Sequence, residues 1–387
     1  MSNAPDPRRR PPAVKTLDHT VAAVPLLQGR VLLHEHARYT PRPRPALDDD
    51  LSGVVMTGAN ADARAFQLRA DVGYTGTLLI DSAAYTTYTA TAEEPFMAPP
   101  DELFATVHDS LNFQKARGAS AALTPTGYIP PANSRTLKAV MREANRIERA
   151  DTLISLPIDA TWLNRENISQ LIAVCAKIHH PKALILFRQF DPLEQAKDIP
   201  ANLRRLFTEV EHMSLLRTDL AALDVMAHGA FCAGIGAQSS LRHAIPPDEK
   251  PQIGKRGGGP TYPHVLMPQL MCFKGAEFLS NVYGNADPAT CDCEECDGRG
   301  LERFYLSDGD TRREAENHNI LTWSEWVSDM AGHRAGSERK TWWRNKCAAA
   351  VDRYGLENQR IEVGASPRSG FQVPPPLKTW ATLPVSP

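Results

Sequence analysis

The sequence predicts an α/β protein built as a (β/α)₈ barrel. Short apolar runs alternate along most of the chain with stretches of amphipathic helical pattern. Strands that alternate with helices form βαβ units, and such units assemble into a parallel sheet. Seven or more candidate units in 387 residues favour a closed barrel over an open sheet. A hydrophobic content of 42% with 23% charged residues is ordinary for a globular protein.

Each candidate strand is a short apolar run, and candidate helices lie between several of them. The predicted strands are Gly53–Thr57, Thr77–Asp81, Ala121–Pro125, Thr152–Ile158, Ala183–Arg188, Met213–Arg217 and Phe231–Gly236. The clearest amphipathic stretches are Ser134–Arg149, Ile168–Ile178 and Leu220–His228. Because barrel chemistry takes place at the carboxyl ends of the strands, polar residues there are functional candidates.

The most specific motif is a group of cysteines followed by a distant histidine. Cys291, Cys293 and Cys296 fall within six positions, and 21 residues separate Cys296 from His318. This pattern predicts one structural Zn²⁺ per chain, with four protein ligands and therefore no open position for catalysis. A redox pair with a spare thiol is an alternative, as is His333 for the fourth ligand. The other cysteines stand alone, mostly in apolar runs typical of buried thiols: Cys175, Cys232, Cys272 and Cys347.

Composition divides the chain into further segments. Residues 1–14 are rich in Pro and Arg and are predicted to be disordered. We expect the barrel over 15–284, a zinc-binding subdomain inserted over 285–330 and a C-terminal helical segment over 331–361. A Pro-rich tail over 362–387 is expected to lie on the surface.

Charge and hydropathy exclude several classes of protein. The formal net charge is −2, so any nucleic-acid surface has to be a local patch. A membrane helix needs about 18 consecutive apolar residues, and no such run occurs. The basic residues near the N-terminus are followed by Pro11 and Pro12 and not by the apolar segment of a signal peptide. With reduced cysteines, these features predict a cytoplasmic protein without a membrane segment.

Three predicted strands end in polar residues. Asp81 and Asp159 each follow an apolar strand, and Arg188 with Gln189 ends a third. Each of these residues could simply cap the next helix, since Asp and Ser are favoured caps. Two carboxylates on one barrel rim can instead divide catalytic roles between them, so Asp81 and Asp159 are the candidate catalytic residues.

Together these motifs resemble the tRNA-guanine transglycosylases, which are zinc-bearing (β/α)₈ barrels that exchange a guanine base for a 7-deazaguanine. The cysteine group with His318-Asn319 is similar to the family's zinc site, and Arg303–Leu306 is similar to its Arg-Ala-Tyr-Leu. Asp81–Tyr85 resembles its Asp-Ser-Gly-Gly-Phe, and Asp159–Thr161 stands where the family has Asp-Glu-Cys. The resemblance spans roughly residues 50–330 and extends to paralogues that modify DNA.

The resemblance implies a double displacement at a ribose carbon, through a covalent nucleic-acid intermediate. It implies that Asp81 is the general base or a base-contacting carboxylate. It implies that Asp159 binds the purine edge, whose adjacent N–H donors suit a carboxylate. Further substrate-binding positions follow from the same alignment: Ser82, Tyr85, Gln189, Gly234 and Gly236. The implied partners are a tRNA or DNA, the guanine or 7-deazaguanine base, and a second copy of the chain or a different subunit.

The family's nucleophile is missing from its expected place. The family carries an aspartate on its last barrel strand, where this chain has Gly234 within Phe231–Ala237. Asp219 and Asp224 lie earlier in the chain and are expected to point elsewhere. Two hypotheses follow. Either the protein is an active, divergent transglycosylase that uses another nucleophile, or it is an inactive relative that binds nucleic acid or a partner subunit.

Two basic segments could contact phosphates. Arg242, Lys255 and Arg256 flank or belong to a Gly-rich loop after the last strand and are predicted nucleic-acid contacts, although the loop could simply be solvated. Residues 339–346 interleave cations with Trp342 and Trp343. Such a segment can hold phosphates and stack on bases, or it can be a helix whose tryptophans cover the barrel.

Overall fold

The computed structural model describes residues 22–37, 47–97, 106–250, 261–361 and 370–384. The predicted N-terminal tail over 1–14 and the predicted phosphate contacts Lys255 and Arg256 lie outside these ranges. Within them, no helix combines the length and the apolar character needed to cross a bilayer.

Eight parallel strands form a nearly closed barrel, which confirms the predicted (β/α)₈ fold. The strands are β1 (Arg30–His36), β2 (Ser52–Thr57), β3 (Leu78–Asp81), β4 (Ala122–Leu123), β5 (Thr152–Asp159), β6 (Lys182–Phe187), β7 (Met213–Thr218) and β8 (Cys232–Gly236). Their order around the ring is β3-β2-β1-β8-β7-β6-β5-β4. The first and last strands therefore pair directly, in parallel, as barrel closure requires.

Ser120 joins the two strands at the ends of this order, β3 and β4. Its backbone N–H donates to Leu78 O at 2.7 Å. Its hydroxyl accepts from Leu78 N at 3.0 Å. Ser120 thus bonds to both the N–H and the C=O of Leu78. Because β4 is only two residues long, these two bonds connect the strands at the place where the ring is nearly complete.

The barrel interior is a packed core. Alternate residues point inward, so Leu32 of β1 belongs to the inner cluster while Leu33 belongs to the outer cluster beneath the helices. The inner cluster takes apolar residues from each of the eight strands: Leu32, Val55, Leu79, Leu123, Leu153, Ile185, Leu216 and Cys232. Because both faces of the sheet are covered, β2 and β5 to β8 are buried along their whole length.

Helices surround the barrel, and a hairpin with four further helices extends it. The first group is α1 (Ala23–Leu27), α2 (Ala61–Ala70), α3 (Val107–Ala116), α4 (Ser134–Ala144), α5 (Ile168–Cys175), α6 (Ile199–Glu209) and α7 (Ala221–Ala227). The second group is β9 (His264–Met267), β10 (Cys272–Gly275), α8 (Ala276–Val282), α9 (Gly309–Ala331), α10 (Ser337–Arg360) and α11 (Pro375–Thr382). Strand β1 and the hairpin β9–β10 are additions to the predicted elements.

The C-terminal helices pack onto the barrel. Trp343 of α10 donates from its indole N–H to Asp224 of α7 at 2.8 Å. The guanidinium of Arg204 also holds Asp224, at 2.6 Å. On α11, Leu377 and Trp380 are buried. The surface position predicted for the Pro-rich tail is therefore wrong for these residues, because their apolar side chains complete the core.

Candidate functional site

The predicted metal ligands come together in one cluster. The ligand atoms of four residues all lie within 4.8 Å of one another: Cys291, Cys293, Cys296 and His318. Nδ1 of His318 lies 3.5 Å from the sulfur of Cys293 and 3.4 Å from that of Cys296. His333, the alternative ligand, contacts Glu338 at 3.4 Å instead. Three sulfurs and one imidazole nitrogen in this arrangement could bind a metal ion.

A tight turn brings the cysteines together. The backbone N–H groups of Cys296 and Asp297 both donate to Cys293 O at 2.9 Å, and Gly298 N donates to Cys291 O at 2.9 Å. Asp297 and Gly298 have φ angles of 49° and 75°, in the left-handed region that glycine adopts most easily. The chain therefore reverses immediately after the third cysteine, and the three thiols lie near one another.

His318 is held in position by the hairpin beside the barrel. It lies on α9, and its Nε2 is 2.8 Å from Leu266 O in β9. This contact assigns the proton to Nε2, so that Nδ1 is free to face the sulfurs. The next residue, Asn319, accepts from Leu266 N at 2.6 Å and donates to His264 O at 2.8 Å. The His-Asn pair thus fixes both the imidazole and the helix that carries it.

The thiols are too close together to ionise independently. The pKa of Cys291 falls to about 3, mainly because it accepts a hydrogen bond from Cys293 and then one from Cys296. The same contacts raise the pKa of Cys296. A divalent cation would remove this competition by stabilising several thiolates at once. The donor set suits a soft transition metal, and thiolate-rich tetrahedra are typical of zinc or iron.

Asp81 is a buried carboxylate at the carboxyl end of β3. Its Oδ1 accepts from Ala83 N at 2.9 Å, and its Oδ2 accepts from the hydroxyl of Tyr85. Burial raises the pKa of Asp81, and the Tyr85 hydrogen bond opposes part of this change. A carboxyl group whose pKa is raised can take up and release a proton closer to neutral pH than an ordinary aspartate can.

A bulge in β7 directs Arg217 to the same tyrosine. The β7–β8 ladder shifts register between Leu215 and Thr218, and Arg217 has a φ of 53°. Bulges change the direction of a side chain at strand ends and near active sites. Nη1 of Arg217 donates to the Tyr85 hydroxyl at 3.2 Å. Tyr85 therefore connects a buried carboxylate with a buried guanidinium.

His34 of β1 is the second group that contacts Arg217. The backbone N–H of Arg217 donates to Nε2 of His34 at 3.2 Å, and Thr57 Oγ1 lies 3.3 Å from Nδ1. With Nε2 as acceptor, Nδ1 carries the proton and donates to Thr57. Burial and then the charge of Arg217 lower the pKa of His34 to about 3, so the imidazole is neutral.

His34 is expected to make folding stability depend on pH. Its pKa is about 3 in the folded protein against an ordinary 6.5, so the unfolded chain binds more protons between these values. The contribution of His34 to the free energy of unfolding should be largest above pH 6.5 and should fall towards pH 3, by up to about 1.4 kcal/mol per pH unit. Denaturant titrations of the wild type and His34→Gln measure this. Identical pH profiles would contradict it.

Asp159 is held in a similar way at the end of β5. Its Oδ1 accepts from the backbone N–H and hydroxyl of Thr161 at 2.9 and 2.6 Å, and its Oδ2 accepts from Tyr128 at 3.1 Å. Nη1 of Arg188, at the end of β6, lies 3.4 Å away. Asp159 thus caps the turn that follows β5, as the helix-cap alternative predicts. It also pairs with Arg188. This contact places a guanidinium beside the carboxylate at the end of the neighbouring strand.

An aromatic layer joins the two carboxylates. The ring of Phe187 lies 5.4 Å from that of Tyr85 and 4.8 Å from that of Tyr128. Tyr85 bonds to Asp81, and Tyr128 bonds to Asp159. All three rings and both carboxylates are buried, so the aromatic layer links the ends of β3 and β5 inside the protein.

The position of the missing nucleophile has no room for a side chain. A Cβ added at Gly234 would lie 2.7 Å from Cδ2 and 2.8 Å from Nε2 of His34. A Cβ at Gly236 would lie 2.4 Å from the Leu241 carbonyl. No carboxylate lies on β8, whose residues read Cys-Ala-Gly-Ile-Gly. Both glycines are thus explained by close packing.

The remaining predicted contacts differ in exposure. Ser82 is exposed and Gln189 is half-buried at the end of β6. Arg242 is buried, with its guanidinium 3.4 Å from the centre of the Phe273 ring and its Nε donating to Gly236 O at 3.3 Å. These contacts argue against the phosphate contact predicted for Arg242, because its charged group is already enclosed by protein.

The C-terminal tryptophans pack mainly inside the protein. Trp323, Trp326 and Trp343 are buried, and Trp342 is half-buried. The ammonium group of Lys346 lies 5.1 Å from the Trp326 ring and 5.5 Å from the Trp342 ring. This arrangement favours the interpretation in which the aromatic residues of the segment cover the rest of the fold.

Several residues of the rim network are additions to the predicted site. Among them are His34, Thr57, Tyr128 and Arg217. Thr57 and Arg217 are the last residues of two predicted strands, so the rule that selected Asp81 would have selected them too. Their positions at strand ends can be seen in the sequence. The sequence does not indicate, however, that a bulge directs Arg217 towards Tyr85.

A scan against models of protein families gives no match, and a search of curated proteins gives none either. The function is therefore argued from the residues of this chain and their geometry.

Proposed function

We propose that this protein is a transglycosylase-like enzyme that exchanges guanine for a 7-deazaguanine base in a tRNA or DNA. One observation carries the proposal. The buried carboxylates Asp81 and Asp159, at the ends of two barrel strands, are joined by an aromatic layer. The Cys₃His cluster supports the same family, because it has the ligands of the zinc site that the sequence resembles.

Each rim residue has a role in this proposal. Asp159, which pairs with Arg188, accepts the adjacent N–H donors of the purine edge. Phe187 and the two tyrosines, which are buried, hold the two carboxylates in position. Asp81 moves a proton to or from the departing or incoming base, as its raised pKa permits. Zinc, when bound, has a structural role: it joins the cysteine turn to α9.

A second function is favoured by the packing at Gly234. The imidazole of His34 occupies the place where a nucleophile would stand, and it is neutral and enclosed. A double displacement would then need a nucleophile from elsewhere on the rim. The alternative is that the chain is an inactive relative that binds nucleic acid or serves as a partner subunit. In that case the rim would bind a base without exchanging it.

Substituting either rim carboxylate by Asn is expected to abolish base exchange. Asp81→Asn keeps the shape but loses proton transfer, and Asp159→Asn replaces an acceptor oxygen by an N–H₂ group. Each should lower incorporation of labelled guanine into tRNA or duplex DNA by about 100-fold or more, as loss of a general acid or base does. Metal content and thermal unfolding should stay close to wild type.

The matched control is Asp71→Asn, an exposed aspartate at the end of α2. It should retain wild-type incorporation. If both rim variants also retained full activity, the site would be misplaced. If the wild type incorporated no guanine into either polymer but bound one of them, the partner hypothesis would replace the enzyme.

A further inference from the structure

One arginine lies directly beside the Cys₃His cluster. Arg303 belongs to the short 3₁₀ turn Leu301–Phe304, which follows the cysteine turn. Its Nη2 donates to the sulfur of Cys296 at 3.5 Å and to Glu295 O at 3.3 Å. Cys296 is fully buried, and only 18% of the Arg303 side chain is exposed. A largely enclosed guanidinium thus contacts one of the candidate metal ligands.

The cluster would carry an excess of negative charge even with a metal bound. Three thiolates bring one negative charge more than a divalent ion neutralises. The cysteine turn adds further acids to this excess: Asp292, Glu294, Glu295 and Asp297. An uncompensated charge in an enclosed place is costly, and a hydrogen bond to a charged group is stronger than one between neutral groups. The guanidinium of Arg303 is placed to offset the excess.

The second arm of Arg303 reaches the helix that carries His318. Its Nη1 pairs with Glu314, which lies on α9 four residues before His318. Residues four apart lie on the same face of a helix, so Glu314 and His318 share a face of α9. Arginine suits this place because its planar group carries several donors, whereas lysine offers one compact charge. One side chain thus connects the cysteine turn with the helix of the fourth ligand.

An aromatic ring holds the guanidinium in this orientation. The centre of the Phe304 ring lies 4.0 Å from the guanidinium carbon of Arg303 and 5.7 Å from the centre of the His318 ring. Phe304 is fully buried. A cation over an aromatic face is attracted to it, most strongly where water is excluded. Phe304 therefore contacts both the arginine and the imidazole, and it fixes the position of the arginine relative to the cluster.

A simpler interpretation is that Arg303 only forms an ion pair with Glu314. The Glu314 side chain is 35% exposed, and partly exposed ion pairs contribute little to stability. That interpretation gives the contact with the Cys296 sulfur no role. The excess charge of three thiolates favours the sulfur as the important partner instead. The two interpretations predict different effects on metal binding when Arg303 or Glu314 is replaced.

We propose that Arg303 is a positioning residue of the metal centre. It donates a hydrogen bond to the Cys296 thiolate and offsets the excess negative charge of the ligand set. Through Glu314 it also keeps His318 of α9 facing the sulfurs. The affinity for the metal therefore depends more on Arg303 than on Glu314. This role is separate from the proposed base exchange, and its test needs no activity.

The test measures the Zn²⁺ affinity of the full chain by competition with a chelator. Arg303→Gln should bind Zn²⁺ about 10–100-fold more weakly, as is typical when a residue that hydrogen-bonds a metal ligand is lost. Glu314→Gln keeps the sulfur contact and should weaken binding much less. The matched control is Arg299→Gln, which removes the same charge from the same turn. Because Arg299 donates to Cys296 O at 2.8 Å and not to its sulfur, this variant should bind Zn²⁺ as the wild type does.

Co²⁺ in place of Zn²⁺ separates the sulfur contact from a purely structural role. A hydrogen bond lowers the energy of the sulfur electrons, so its loss in Arg303→Gln should move the sulfur-to-cobalt absorption band to longer wavelength. Arg303→Lys keeps the charge, so its affinity and band should lie between those of the wild type and Arg303→Gln. It serves as the test variant if Arg303→Gln does not fold.

Three results would overturn the proposal. The first is wild-type affinity and an unshifted band in the Arg303 variants. The second is an equal loss of affinity in Arg299→Gln or Glu314→Gln, which would mean that the sulfur contact has no special role. The third is a wild type that binds no Zn²⁺.

Discussion

Replacing Cys293 by alanine is expected to release the metal and to unfold the segment around the cysteine turn. Cys293 contributes a sulfur and also lies 3.5 Å from Nδ1 of His318. A structural Zn²⁺ in such a site contributes on the order of 10 kcal/mol to local folding, because the ligands converge only in the folded state. Metal analysis of the purified protein measures the loss, and hydrogen exchange over 285–330 measures the unfolding.

The matched control for this variant is Cys175→Ala. Cys175 is buried and forms no disulfide, and it lies on α5, away from the cluster. That substitution should cost about 1–2 kcal/mol through lost packing and leave the metal content unchanged. Stoichiometric metal retained in Cys293→Ala would show that the cysteine is not a ligand. An absence of metal from the wild type would remove the family resemblance as well.

Metal binding should also stabilise the contact between helix α9 and the barrel rim. Helix α9 carries His318 and, two residues earlier, Glu316. Glu316 accepts a hydrogen bond from Gln238 Nε2 at 2.9 Å, and Gln238 lies in the turn after β8. Helix α9 is thus tied at one residue to the metal cluster and at another to the rim. Loss of the metal would loosen both attachments, because they share one rigid helix.

Residue type and local spacing made much of the site predictable. Cys291, Cys293 and Cys296 need only a short turn to meet, and few other arrangements satisfy three close thiols. Asp81 and Asp159 could be found because an acid that directly follows an apolar strand stands out in any barrel. The fold itself was predictable because most strands carry an apolar run, which is typical of strands buried on both faces.

Contacts across long sequence distances could not be predicted. The bond between Arg217 and Tyr85 depends on a bulge whose place no local pattern indicates. The pairing of Ser120 with Leu78 depends on how the ring closes. The burial of α11 depends on an apolar surface that exists only after the barrel has formed. Each of these features is set by tertiary packing, which the sequence does not express locally.

Placing an aspartate at Gly234 is expected to destabilise the protein strongly. Its Cβ would lie within 2.8 Å of two atoms of His34 and 3.2 Å from Leu216. His34 cannot move easily, since Thr57 and the backbone of Arg217 hold both ring nitrogens. Overpacking costs about 1–3 kcal/mol, and an unpaired buried charge adds about 3–5 kcal/mol. Denaturant unfolding of Gly234→Asp should therefore show a loss of about 5 kcal/mol or more.

The double variant His34→Ala/Gly234→Asp tests whether the imidazole is the obstacle. Removing the ring makes room, so the double variant should be less destabilised than the sum of the two single variants, with a coupling of about 1–3 kcal/mol. Gly275→Asp is the control, because a Cβ there meets nothing within 4 Å and an aspartate would cap α8. Wild-type stability of Gly234→Asp, or strict additivity, would mean that His34 does not block this position. Base exchange gained only by the double variant would instead indicate that the rim still accepts a nucleophile there.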